Sequence, residues 1–298
     1  MQLGLPFIIN LACTGVIPTR AMSPHVPLSH EEIVTDVARC MALGVQMVHL
    51  HARDANGVQT GDPVPYGRLV EAIRALPGGR ELVVCVTTSG RLDNSFEARA
   101  RVLDLSGDAK PDMASLTLSS LNFAQSASVN APDTIRQLAK RMQERGIKPE
   151  LEVFDIGMAN FARVLLREGL VEAPLYVNVL LGNIAGAQAD LLQLAAILSA
   201  LPPDCIVSIA GLGRFQLGAN GLGMLVADGV RVGLEDDLWF DQQRTVPASN
   251  AALVKRVVEQ AASFERPLMS RNALRERLGL SAGARADATA DMNSDRAP

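Results

Sequence analysis

Apolar positions along this chain gather into short runs at residues 7–13, 46–51, 82–86, 113–116, 151–154, 175–180, 206–210 and 229–233. Several are rich in Val and Ile, as parallel strands buried on both faces should be. The segments between them carry the longer helical period. Ser29-x-x-Glu32 is a capping box that opens a helix reaching Leu43 and stopping at Gly44. A second helix is expected over 133–145, closed by Gly146 and Lys148-Pro149, and a third over 190–201, stopped by Pro202-Pro203. Strands alternating with helices in this way predict an α/β fold, a (β/α)₈ TIM barrel, with an open doubly wound sheet as the rival. Nothing reads as an internal linker, so residues 1–280 are expected to form one catalytic barrel. Residues 281–298, built of Ala, Asp, Gly and Ser without an apolar period, are expected to be a disordered tail.

Composition narrows the class of partner. With 48% hydrophobic residues in 298, the chain can bury a large core. The formal net charge is -4 and no basic block stands out, which argues against nucleic acid and anionic membrane. No apolar run approaches the ~20 residues of a membrane span, and Met1-Gln2-Leu3-Gly4 places no charged region before the first apolar run. A cytoplasmic protein is expected. Cys13, Cys40, Cys85 and Cys205 form no C-x-x-C pair and suit free thiols in a reducing compartment.

The chemistry is signalled by Met47-Val48-His49-Leu50-His51-Ala52-Arg53-Asp54. Only four histidines occur in the chain, and His49 and His51 stand two apart at the end of an apolar run. Strand residues i and i+2 point to the same face, so the two imidazoles would stand side by side, ready for a divalent metal. In a barrel the active site lies at the C-terminal strand ends, and polar clusters fall there: Thr14 to Arg20, Thr87 to Gly90, Thr117 to Asn122, Asp155 to Met158 and Gly233 to Asp237. A catalytic zinc takes three protein ligands and keeps an open position. No histidine follows His51, so the third ligand must be a carboxylate or a thiolate. Glu235 is the best candidate, because the last strand closes next to the first; Arg231 shares its parity and could also point inward.

These motifs together resemble the beta-keto acid cleavage enzyme family. The resemblance runs from about Asn10 to Leu280. It is carried by Thr14-Gly15 with Thr19-Arg20, His49-x-His51-Ala52-Arg53-Asp54, Met113-Ala114-Ser115-Leu116, Glu150 to Met158, and Val230-Arg231-Val232-Gly233-Leu234-Glu235-Asp236. It implies a zinc-binding (β/α)₈ barrel, typically a homotetramer, that takes a β-keto acid and acetyl-CoA to acetoacetate and a new acyl-CoA. It also implies His49, His51 and Glu235 as zinc ligands, Asp236 as general base, and Arg231 as the cation that tunes and holds that base. Ser89 and Thr117 match positions that contact substrate or thioester, with Thr88 as the alternative in loop register. Thr14 and Ile17 belong to the substrate-facing loop after the first strand.

One departure bears on the substrate. Members that cleave an amino-bearing keto acid have a glutamate two residues after the Thr-Gly, and this chain has Ile17 there. An apolar side chain cannot compensate a buried ammonium, so a non-cationic substrate is expected. A neutral one suits Val16, Ile17 and Met22, and an anionic diacid requires Arg20 or another cation to turn inward. Two readings of the same motifs stay open: a metal-dependent aldolase or C–C lyase that needs no CoA, and a catalytically silent metal-binding barrel. The glycines from Gly211 to Gly223 read either as a tight loop needing positive φ or as a CoA contact.

Overall fold

In the computed structural model, which describes residues 2–281, parallel strands close into a barrel and alternate with helices. The strands are β1 (Ile8–Ala12), β2 (Met47–Leu50), β3 (Val83–Val86), β4 (Met113–Thr117), β5 (Lys148–Val153), β6 (Leu175–Leu181), β7 (Cys205–Gly211) and β8 (Gly229–Val232). Closure comes from β1, which pairs in parallel with both β2 and β8. The rival open sheet is therefore ruled out. The strands fall where the apolar runs placed them, except that β5 begins at Lys148, three residues before its apolar run. The expected tail, 281–298, lies outside the described residues apart from Ser281.

The helices follow the caps written in the sequence. α1 (His30–Ala42) starts at the Ser29–Glu32 capping box, and Gly44 beyond its end has φ +101°. α2 (Pro63–Arg74) follows β2, and the short α3 (Phe96–Ala100) follows β3. α4 (Pro132–Arg145) ends at left-handed Gly146. α5 (Ile156–Arg167) and α6 (Leu191–Ala200) are capped by Asp155 and Asp190. The glycine run is corrected: after a short turn at Gly213 it becomes α7 (Gln216–Val226), so Gly218, Gly221 and Gly223 are helical. The reason is packing. A Cβ on Gly223 would stand 2.6 Å from Val230 Cγ1, so glycine lets this helix approach β8. α8 (Asn250–Ser263) and α9 (Arg271–Arg277) complete the chain. No helix among the described residues is long and apolar enough to cross a membrane.

Two cores hold the barrel. The larger one lies between strands and surrounding helices. The smaller fills one end of the barrel with Ile8, Met47, Val83, Met113, Tyr176 and Ile206, against which Leu274 and Leu278 of the α9 region pack. That pole is sealed by apolar side chains, so polar chemistry is left to the opposite, C-terminal strand ends.

Candidate active site

Strand alternation decides which side chains meet inside the barrel. Met47 lies in the sealed core, so His49 and His51 face the interior above it, and both are buried. On β5 the same alternation turns Glu150 and Glu152 inward. Register places Ala12 beside His49 and Asn10 beside Arg231, which brings the end of β8 to the histidines. The loop after β8 then returns Glu235 over the barrel mouth, with its N–H bonded to Ala12 O at 3.1 Å. Gly15 is needed beneath it: φ is +71°, and a Cβ there would stand 2.5 Å from Glu235 Cγ.

Three ligand atoms converge. His49 Nε2 and His51 Nε2 are 3.2 Å apart. Glu235 Oε1 lies 3.2 Å from His51 Nε2 and 3.9 Å from His49 Nε2. Two donors on one tetrahedral zinc stand about 3.3 Å apart at ordinary bond lengths, so the spacing fits one divalent ion. His49 Nδ1 faces a carboxylate oxygen of Glu150 at 2.7 Å. That carboxylate accepts the hydrogen bond of Nδ1–H and leaves the Nε2 lone pair for the shared point. Glu235 Oε2 is buried and has no hydrogen-bond partner among the described residues, a further free donor at this place. His49, Cys85 and Glu150 form another cluster of ligating types, enclosed below the cleft. There the Cys85 thiol donates to Glu150 at 3.2 Å, and burial, reinforced by Glu150, holds its pKa well above the ordinary range. Its sulfur is a donor to a carboxylate rather than a thiolate ligand.

Beside the triad lies Arg231, 2% exposed. Its Nε and Nη2 donate to the two oxygens of Asp236, each at 2.9 Å, and Nη2 also reaches Glu235 Oε1 at 2.7 Å. Burial opposes ionisation of all these groups, but the surrounding carboxylates outweigh it at Arg231, whose pKa rises, and Arg231 with the histidines outweighs it at Glu235, whose pKa falls well below the usual carboxylate range. At Asp236 burial prevails over Arg231 and the carboxyl is held above its ordinary value. Burial, with Glu150 nearby, likewise raises Glu152, which accepts the Thr117 hydroxyl at 2.6 Å.

The cleft above the triad encloses a volume of about 100 Å³ and opens to solvent. Of the residues singled out in the sequence, His49, His51, Glu235, Asp236 and Arg231 line it together, joined by Ser89, Thr117 and Ile17. Thr88 does not. Along β3 and its extension, residues 87 and 89 turn inward and 88 turns away, where its hydroxyl donates to Ser115 O at 2.6 Å. Thr87 stands in the cleft instead. Thr14 also turns away, donating to Pro27 O at 3.2 Å. Arg20 faces outward in a pair with Glu32 and does not enter the cleft. Glu150 and Glu152 were missed as site residues, although their i, i+2 spacing is the same signal that marks His49 and His51. Arg91 and Phe123, also in the cleft, carry no local sequence signal because both lie on loops.

Comparison with known proteins gives a single family. The profile described as beta-keto acid cleavage enzyme matches residues 6–280. The chain is 34% identical over 278 residues to the 3-oxoadipate:acetyl-CoA acetyltransferase of Cupriavidus necator, spanning 92% of this chain and 95% of that protein. It is 32% identical over 277 residues to the 3-keto-5-aminohexanoate cleavage enzyme of Acetoanaerobium sticklandii, spanning 92% and 98%. Among solved structures, apo ObcA superposes with a TM-score of 0.75 at 22% identity; the match covers 87% of this chain and 66% of ObcA, a likeness of fold.

Proposed function

The chain belongs to the beta-keto acid cleavage enzyme family, and from that premise we propose that it converts a β-keto acid and acetyl-CoA into acetoacetate and a new acyl-CoA, with zinc held by His49, His51 and Glu235. The names of its relatives support the reaction class, since they are cleavage enzymes or acetyl-CoA-dependent transferases. The observation that carries the residue roles is the convergence of three ligand atoms within 3.9 Å of one another, beside a carboxylate clamped by a buried arginine.

A divalent ion at that point would supply Lewis acidity to the substrate ketone and acidify the carbon next to it. Asp236, on the cleft wall, takes the proton from that carbon. Arg231 fixes both its oxygens and opposes the burial that raises its pKa, which suits the carboxyl to accepting a proton and giving it back. The resulting enolate carbon attacks the acetyl thioester, forming a C–C bond and releasing CoA thiolate. CoA thiolate then attacks the original ketone carbon, and the bond between that carbon and the α-carbon breaks. The leaving carbanion takes the proton back from Asp236 and departs as acetoacetate, while the rest of the keto acid leaves as acyl-CoA. Ser89 and Thr117 are the hydroxyls placed to contact the reacting acyl groups. Ile17, half-exposed in the cleft where amino-bearing substrates would need a carboxylate, favours a non-cationic keto acid. The resemblance further carries a homotetramer, which light scattering of the purified chain tests.

The experiment is an acyl-transfer assay with purified chain, acetyl-CoA and a panel of cationic, neutral and anionic β-keto acids. New acyl-CoA and acetoacetate in equal amounts, lost on chelation and restored by Zn²⁺, is the expected result. Cleavage without acetyl-CoA would replace this reading with a CoA-independent lyase. Metal binding with no turnover of any substrate would point to a silent barrel.

A further inference from the structure

Resting on the reading above, we propose that Arg91 is the specificity determinant of this cleft, and that it selects a β-keto acid bearing a second carboxylate at the end remote from the reacting ketone. Among the described residues two arginines line the cleft, and their situations differ. Arg231 is ion-paired to Asp236 and Glu235 through Nε and Nη2, and its buried Nη1 lies 3.8 Å from Glu152 Oε1 without a hydrogen bond. Arg91 has no ion pair, and its guanidinium makes no hydrogen bond, among the described residues. It is instead held by its face: its guanidinium carbon lies 4.0 Å from the centroid of the Phe123 ring, a cation–π contact that leaves the N–H edge free for a ligand.

A partly buried cation without a counter-ion is unfavourable, and burial pulls Arg91 below its ordinary pKa against the weaker opposing pull of Glu235. Glu235 is itself committed to Arg231 and His51. What Arg91 lacks is an anion that arrives with the substrate. A planar guanidinium with two parallel N–H donors pairs bidentately with a carboxylate or a phosphate, and the keto acid can carry the former.

The cleft also offers apolar side chains to a short carbon chain. Phe123 packs edge-on against Phe154, centroids 6.1 Å apart, and Leu121, Leu180 and Leu212 line the same cleft. A cleft that holds a ligand triad and a base, apolar side chains and one cation without an ion pair suits a molecule with a β-keto acid head, a methylene spacer and an anionic tail. Arg20, the cation the sequence put forward for that role, is occupied by Glu32 outside the cleft, and Arg91 is the cation that turns inward. A monoacid of equal length would leave Arg91 buried against the substrate and unpaired, which is the stronger form of discrimination: loss of a partner for a charged group rejects a substrate more sharply than loss of a methylene.

The test compares 3-oxohexanedioate with 3-oxohexanoate, equal in carbon number and differing in a terminal carboxylate for a methyl. Wild type is expected to favour the diacid by roughly 10- to 100-fold in kcat/KM. Arg91→Met should bring the two substrates to similar kcat/KM by raising KM for the diacid, without a matching rise in KM for acetyl-CoA, and Arg91→Lys should keep part of the preference. Equal use of both substrates by wild type, a preference that survives Arg91→Met, or a rise in KM for acetyl-CoA alone would overturn the assignment. Calorimetric titration of each keto acid without acetyl-CoA separates this inference from the reaction itself. Tighter binding of the diacid, lost in Arg91→Met, supports Arg91 even if no acyl-CoA forms, whereas equal or absent binding of both acids overturns it.

Discussion

His49 Nδ1 and Glu150 Oε2 lie 2.7 Å apart inside the barrel, joining β2 to a carboxylate that is wholly inaccessible to solvent. Glu150 is held in turn by Asn10 Nδ2 at 2.8 Å and by the Cys85 thiol at 3.2 Å. A carboxylate so placed fixes the tautomer and the ring angle of a metal-ligating histidine. Glu150→Gln should therefore lower zinc affinity about 10- to 100-fold, because an amide oxygen accepts the Nδ1–H bond without the negative charge that makes the ring a stronger ligand. Competition against a chromophoric chelator measures this. Affinity equal to wild type in a folded variant would remove Glu150 from the metal's support.

Asp236 and Arg231 make a test of catalysis separable from metal binding. Asp236→Asn keeps the shape of the side chain and loses the base, so kcat should fall roughly 10²- to 10⁴-fold while zinc content, read by atomic spectroscopy, stays near one per chain. Loss of zinc together with activity would assign Asp236 to holding Glu235 and Arg231 in place instead.

Asp36 gives a pH dependence away from the cleft. It is buried on α1 and its pKa is raised by that burial, against the Asn250 amide that donates to it at 2.6 Å and the nearby Arg39. A carboxyl whose folded pKa lies above its unfolded value binds its proton more tightly in the folded state. Its contribution to stability is present at acid pH, declines as pH rises from the unfolded pKa through the folded one, and is a constant penalty above that window. Asp36→Asn retains an oxygen for Asn250 and removes the charge. The melting temperature of the variant relative to wild type should rise between acid and neutral pH and then stay level. A difference that is flat across that range would show that Asp36 is ionised without penalty.

The thiols should be silent in the folded chain. Burial pushes Cys13 up to about 12 and Cys205 up to about 11, and raises Cys40 and Cys85 as well. At pH 8 the thiolate fraction is then about 10⁻³ or less. A disulfide reagent should react with none of the four at an appreciable rate until denaturant is added, after which all four should titrate. Fast labelling of any one in native buffer would mark a local opening, with half-buried Cys205 the first to examine.

The chain's own pattern determined the strands and most helix caps, because these depend on periodicity and on side-chain-to-backbone bonds spanning a few residues; closure into a barrel rather than an open sheet was decided by β1 pairing with both β2 and β8. The His49/His51 pair was legible for the same reason: i, i+2 in a strand fixes a shared face without reference to the rest of the molecule. Glu235, Asp236 and Arg231 were reachable once the family's motifs were seen together, since their placement follows from closing β8 onto β1. Tertiary structure alone decided the rest. Whether residue 87 or 88 faces the cleft depends on where β3 hands over to its loop. That Thr14 turns to Pro27 while Ile17 turns inward depends on the turn at Gly15 under Glu235. The support of His49 by Glu150 joins residues 101 apart in sequence, and the seat of Arg91 on Phe123 joins two loops. Local sequence encodes faces and ends, but a contact between distant side chains exists only when the barrel closes and sets their separation.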